Sequence, residues 1–221
     1  IILPKVNLID IPLKENHKTH EKIVPVVGGL VLIIGLFVSK LLFTEELKFL
    51  NIHFISGSIV LLIIGLIDDI NNLKARYKFL GQLLASILMY LGGFRVEIFF
   101  IIAIDATITI FWFVGLLNAF NFIDGGDGIA TGSSIIIVFT ILFLSFSISK
   151  QLDLTLFSFV LLIILLILYL KNKKPAKLFL GDSGSLLLGL FLSASVLYFA
   201  PFGYYKITSW IAPVLIFIFP I

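Results

Sequence analysis

Long apolar runs, separated by short polar connections, repeat along the whole chain. They cover residues 24–43, 54–67, 79–94, 106–121, 130–148, 154–170, 184–200 and 208–221. A helix needs about 20 apolar residues to cross a hydrocarbon layer about 30 Å thick. The runs approach that length, and the shorter ones are accommodated by tilt or re-entry. The pattern predicts an all-α fold, a polytopic transmembrane helical bundle. Residues 95–105 (RVEIFFIIAID) fit less well, because their β-branched and aromatic content also suits a short interfacial strand. With no internal repeat and no low-complexity tract, residues 1–221 read as a single membrane domain.

Composition agrees. The chain is 60% hydrophobic and only 13% charged, against about a quarter charged in a soluble domain; its mean hydropathy is +1.17. Its 23 Phe exceed what a globular core of this size needs, so much of the apolar surface is expected to face lipid. The absence of Cys rules out disulfides and thiolate metal sites within these residues, and His17, His20 and His53 are too scattered for a zinc site. The chain opens at Ile1 and stops at Ile221 inside an apolar run, which reads as a fragment of a longer protein.

Charge gives the bundle a direction. The connections 5–23, 68–78, 118–129 and 171–183 carry 11 of the 16 Lys and Arg, and the connections between them carry the other 5. The positive-inside rule places the first set in the cytoplasm. Every connection rich in Gly and Asp falls on that same side. The basic residues are accounted for by topology and an anionic leaflet, and no nucleic-acid partner is expected.

Three motifs on this face carry candidate chemistry. Asp68 and Asp69 follow the apolar run IVLLIIGLI. An Asp costs about 2.5–3.5 kcal/mol at the centre of a membrane helix. At a helix end the cost is smaller, but adjacent carboxylates repel, and a cation or shared proton relieves that. A solvated helix terminus is the plain alternative. Asn118, Asn121, Asp124 and Asp127 recur every three residues, with Gly125, Gly126 and Gly128 among them. Oxygen ligands at this density suit a hard cation such as Mg²⁺, and the glycines admit a phosphate. A calcium loop has a different spacing and a closing Glu. Phe179-Leu-Gly181-Asp182-Ser-Gly184-Ser185 precedes an apolar helix, where Asp and Ser are preferred caps. A helix N-terminus also offers N–H groups and a positive dipole end to a phosphate. Lys78 and Arg76, close after the aspartate pair, are otherwise explained by topology.

These motifs together resemble the polyprenyl-phosphate N-acetylhexosamine-1-phosphate transferases, integral membrane enzymes that start cell-envelope polymer synthesis in bacteria. Asp10-Ile-Pro12, His17-Lys-Thr-His20 and Pro25-Val-Val-Gly28-Gly29 look like the family's first cytoplasmic loop. Asp68-Asp69-Ile-Asn-Asn-Leu73 with Arg76, Lys78 and Gln82 looks like its paired-aspartate loop. Asn118 to Ala130 is close to its central signature, and Phe179 to Ser185 to its last aspartate motif. The short stretch from Asp69 to Lys78 resembles the branch that uses UDP-N-acetylglucosamine or related amino sugars. His17-Lys18 departs from the family's Arg-Lys pair. The family's first helix and its C-terminal His-rich loop are not within these residues.

The resemblance implies that a polyprenyl phosphate attacks the β-phosphorus of a UDP-sugar, releasing UMP, at the cytoplasmic face of the bacterial inner membrane. It implies Mg²⁺, or Mn²⁺ in its place, held by Asp127 and Asp182. Asp68 and Asp69 would activate or position the lipid phosphate, and Lys78 would contact the diphosphate. Asn118, Asn121, Asp124, Phe179 and Gly181 would line the nucleotide side. A homo-oligomer is admitted but not required. The alternative is a transporter or flippase using the carboxylates as cation sites; acidic residues gathered at one face argue against it.

Overall fold

The computed structural model describes residues 9–10, 24–43, 47–125 and 128–199. A two-residue ladder joins β1 (Ile9–Asp10) antiparallel to β2 (Val24–Pro25). Among the described residues seven α-helices follow: α1 (Gly28–Leu42), α2 (Ile52–Asn71), α3 (Ala75–Leu91), α4 (Ile102–Ile123), α5 (Ile129–Leu144), α6 (Leu152–Asn172) and α7 (Gly181–Phe199). A π-helical turn, Ser145–Ser149, continues α5. The all-α expectation holds. α2, α4, α5 with its π turn, α6 and α7 are long and apolar enough to cross a membrane; this is a multi-pass membrane protein. The last apolar run, 208–221, lies outside the described residues, as do His17 and His20.

α7 is the axis of the bundle, with α1, α2, α4, α5 and α6 packed around it. Every residue from Ser183 to Leu197 is buried, although α7 is the least apolar of the five span-length helices. The two facts fit together. A helix surrounded by protein needs close approach more than lipid solubility, and small residues allow it. A Cβ on Gly65 of α2 would sit 2.3 Å from Ser183 Cα, one on Gly29 of α1 2.5 Å from Ser183 Oγ, and one on Gly189 of α7 3.0 Å from Leu117 Cα of α4.

The phenylalanines divide between two roles. Phe111, Phe122, Phe139, Phe143 and Phe146 are exposed on the outer surface. Phe49, Phe54, Phe94, Phe157 and Phe191 instead form an internal aromatic cluster with Tyr198, with ring centroids 4.6–6.0 Å apart. This cluster sits where α2 begins and α7 ends, away from the acidic motifs.

Two expectations are corrected. Residues 95–101 form no strand. Two of their backbone donors are taken by the next helix: Val96 N–H donates to Thr109 Oγ1 (2.9 Å) and Phe99 N–H to Asp105 Oδ1 (3.1 Å). The second concerns where helices stop. Asp68 and Asp69 lie in the last turn of α2, which Asn72 closes with φ 48°. Asn118 and Asn121 lie on α4, Lys78 on α3, and Asp182 in the first turn of α7. The motif residues therefore sit on helix ends rather than in loops. Their polar groups find protein partners there, so the helices need not end where the apolar residues do.

Candidate active site

The C-terminal ends of α2, α4 and α6 meet the N-terminal ends of α1, α3, α5 and α7 at one pole of the bundle. Lys78 is its hub. Its Nζ lies 2.8 Å from Asp68 Oδ2 and 2.8 Å from Asp182 Oδ1, and donates to Asn121 Oδ1 at 3.2 Å. Three helices, α2, α4 and α7, thus converge on one ammonium group carried by α3. Asn121 completes the ring, its Nδ2 donating to Asp182 Oδ1 and to Ser185 Oγ (2.9 Å). Asp68 is largely buried, and its second oxygen accepts the Leu73 N–H at 2.6 Å.

Asp69 faces a different way from its neighbour. Its Oδ1 accepts the Asp182 N–H (2.7 Å), and its Oδ2 accepts the Ser183 N–H (3.2 Å) and the Ser183 hydroxyl (2.8 Å). It caps α7 from another helix, with its negative charge on the positive end of the helix dipole. The N–H groups of Asp182 and Ser183, expected to be free for a phosphate, are therefore occupied. Gly181 makes this possible. Its φ is +70°, and a Cβ there would lie 2.3 Å from Val26 Cγ1 and 2.7 Å from Asp69 Oδ1.

Phe179 acts through its backbone. Its N–H donates to Pro25 O (3.0 Å), and its carbonyl accepts from the N–H groups of Val27 and Gly28 (both 3.3 Å). This ties the Pro25–Gly29 motif to the last aspartate motif. Asn118 is engaged in a reciprocal amide pair with the buried Gln82: Asn118 Nδ2 donates to Gln82 Oε1 (2.9 Å) and Gln82 Nε2 to Asn118 Oδ1 (3.2 Å). It joins α3 to α4 beside the hub rather than within it. Asp127 lies outside the described residues.

Charge is unbalanced here. Among the described residues, Asp68 and Asp182 share the Lys78 ammonium, while Asp69 and Asp124 lie within electrostatic reach of Asp182. Asp124, which closes α4, shows the result. Burial, and then the negative charges of Asp182 and Asp69, push its carboxyl up to about 8. A surplus of carboxylates and amide oxygens is the donor chemistry a hard cation takes. Among the described residues no three acidic side chains form a ready-made metal cluster.

Sequence reading missed several residues at this pole. In the sequence Ser183 and Ser185 stand out only as capping residues, and Gln82 only as part of a motif. Asn172, 2% exposed, was hidden inside a basic stretch. Nothing in their spacing marks them, since each acts through a residue far along the chain.

The model of glycosyl transferase family 4 matches residues 51–200, which hold α2 through α7 and all the hub residues. The chain belongs to this family. It is 34% identical to a probable undecaprenyl-phosphate N-acetylglucosaminyl 1-phosphate transferase of Bacillus subtilis, over 98% of this chain and 62% of that protein. It is 33% identical to the undecaprenyl-phosphate alpha-N-acetylglucosaminyl 1-phosphate transferase of Thermotoga maritima, over 90% and 60% respectively. A phospho-N-acetylmuramoyl-pentapeptide-transferase of Listeria monocytogenes is 34% identical over 79% of this chain and 61% of its own length. The chain spans about three fifths of the length of these relatives. In this family 4 chain the paired-aspartate, central and last aspartate motifs are thus helix ends of α2, α4 and α7 drawn together on Lys78 of α3.

Proposed function

We propose that the protein of which this chain is part transfers an N-acetylhexosamine 1-phosphate from a UDP-sugar to a polyprenyl phosphate, most closely as an N-acetylglucosamine 1-phosphate transferase. The observation that carries this reading is the Asp68–Lys78–Asp182 bridge, a half-buried cation shared by two carboxylates at the acidic pole of a family 4 bundle. The named relatives act on undecaprenyl phosphate or are phospho-sugar transferases. The transporter alternative finds no support among them.

In the reaction, an oxygen of the lipid phosphate forms a bond to the β-phosphorus of the UDP-sugar. The bond from that phosphorus to the bridging oxygen breaks, and UMP leaves with the electron pair. A phosphate monoester has its second pKa near 6, so positioning matters more than a strong base. Two anionic substrates must meet, and Lys78 supplies a positive charge for the diphosphate. Asp68, held by Lys78 and the Leu73 N–H, orients the lipid phosphate. Asn121 and Asp124 line the nucleotide side. A Mg²⁺ or Mn²⁺ ion, held by Asp182 and Asp127, would neutralise the diphosphate when bound. The acidic pole faces the cytoplasm, in keeping with the basic bias of its connections.

The test uses the full-length protein in detergent with undecaprenyl phosphate and a panel of UDP-sugars. UMP release is followed and the lipid product is weighed by mass spectrometry. A lipid diphosphate N-acetylhexosamine is the expected product. Absence of UMP release with every UDP-sugar, in protein shown to be folded, would overturn the proposal.

A further inference from the structure

Asn172 ends α6 and lies outside the hub, yet it is 2% exposed with both its amide oxygen and its amide nitrogen hydrogen-bonded. Its Oδ1 accepts the Gly128 N–H (3.2 Å) and the Thr131 hydroxyl (3.0 Å), both at the start of α5. Its Nδ2 donates to the carbonyl of Leu178 (3.0 Å), three residues before Gly181. One amide thus clamps the start of α5 to the connection that enters Asp182.

The surroundings are built for that clamp. Gly128 adopts φ +81°, and a Cβ there would lie 3.1 Å from Lys173 Cα and 3.3 Å from the Tyr169 ring. The start of α5 therefore presses against the backbone at the end of α6. The connection after α6 folds back on the same helix end, with the N–H groups of Lys177 and Leu178 both donating to the Lys171 carbonyl (2.7 and 3.2 Å). Phe179 then fixes the chain to Pro25 before α7 begins. A buried amide that satisfies two donors and one acceptor from separate elements leaves little freedom between them.

We propose that Asn172 is a positioning residue, which sets the separation between the start of α5 and the Leu178–Asp182 connection and so where Asp182 is presented to the acidic pole. It touches no reacting atom. It acts through the Gly128 N–H and the Leu178 carbonyl. Its consequence for catalysis rests on the transfer reaction proposed above; its consequence for geometry does not.

These 221 residues hold no Cys; with any Cys elsewhere in the full-length protein replaced by Ser, spin labels can be placed by substitution. One pair, Ile129→Cys with Lys177→Cys, spans the clamp at exposed positions; a control pair, Arg95→Cys with Lys150→Cys, lies at the other pole. Dipolar electron paramagnetic resonance on the full-length protein reads both distance distributions. Asn172→Ala is expected to broaden the clamp pair and leave the control pair unchanged. Asn172→Asp keeps the size and the acceptors but sets a carboxylate against the Leu178 carbonyl. It should also broaden the clamp pair, and it carries the test if the Ala variant does not fold. Thr131→Val, which leaves the Gly128 and Leu178 bonds intact, should broaden it less. In turnover assays, Asn172→Asp should raise the Mg²⁺ concentration for half-maximal rate about 10-fold, as loss of an outer support does at metal sites. An unchanged clamp distribution in both Asn172 variants, or equal broadening of clamp and control pairs, overturns the proposal. A wild-type protein without transfer activity would defeat the proposed reaction and leave the distance result standing.

Discussion

Asp69 accepts the backbone N–H of Asp182 at 2.7 Å, across 113 residues of sequence. Neighbouring carboxylates in one helix turn thus have separate tasks, Asp68 turning to Lys78 and Asp69 to the start of α7. Asp69→Ala strips an acceptor from three donors, and is expected to destabilise the protein by about 1–3 kcal/mol. Asp69→Asn keeps one oxygen and should lose less. Thermal unfolding in detergent measures both. A melting temperature for Asp69→Ala equal to wild type would show that the cap contributes nothing.

Lys78 bridges two carboxylates, and its own side chain is 16% exposed. Lys78→Met leaves Asp68 and Asp182 without their shared cation, and should destabilise by about 3 kcal/mol or more. Added Mg²⁺ should raise the melting temperature of this variant more than that of wild type, since a divalent ion can occupy the charge vacancy. Lys78→Arg should not restore turnover, because a planar guanidinium cannot reproduce the three-way contact of an ammonium. Full activity in the Arg variant would contradict the hub geometry.

Asp124 gives a pH signature. Its carboxyl is raised to about 8 by burial and by the charges of Asp182 and Asp69, against about 3.9 in an unfolded chain. The folded protein therefore keeps a proton that the unfolded chain releases. This contribution to stability is complete below about pH 4 and is lost as pH rises through about 8. Melting temperature should fall between pH 6 and pH 9, and Asp124→Asn should flatten that part of the profile. Parallel profiles for the two proteins would place the titration elsewhere.

Topology is tested by accessibility. Cysteines at Lys74, Gly125 and Lys174 are predicted to resist an impermeant thiol reagent added to intact cells, while those at Arg95 and Lys150 react. All five positions are exposed. Labelling of the first three from outside would invert the orientation inferred from the basic residues.

Much of the fold was legible because lipid imposes a long, simple pattern. Seven of the apolar runs match α1 to α7, and the error lies at their ends. The run read as 54–67 became α2, Ile52–Asn71, because Asn51 caps its start and Asn72 closes its end. The strand reading of 95–105 failed because Thr109 and Asp105 take two backbone donors that a neighbouring strand would have taken. Neither partner is visible from local propensity.

The sequence by itself determined that the chain spans a membrane and that acidic motifs recur on alternate connections, because hydrocarbon forces apolar length and charge is expensive within it. It also singled out Asp68, Asp69, Lys78, Asn121 and Asp182 as residue types suited to phosphate chemistry. Only the tertiary structure decided which of them share an atom. Lys78 bridging Asp68 and Asp182, Asp69 capping α7 and Asn172 clamping the start of α5 to the connection that enters Asp182 are contacts between elements far apart in the chain, each set by the packing around α7. Hydropathy reports what a helix is dissolved in, and α7 is dissolved in the protein itself; its neighbours, and so the partners of every acidic group at the pole, follow from where small residues let helices approach.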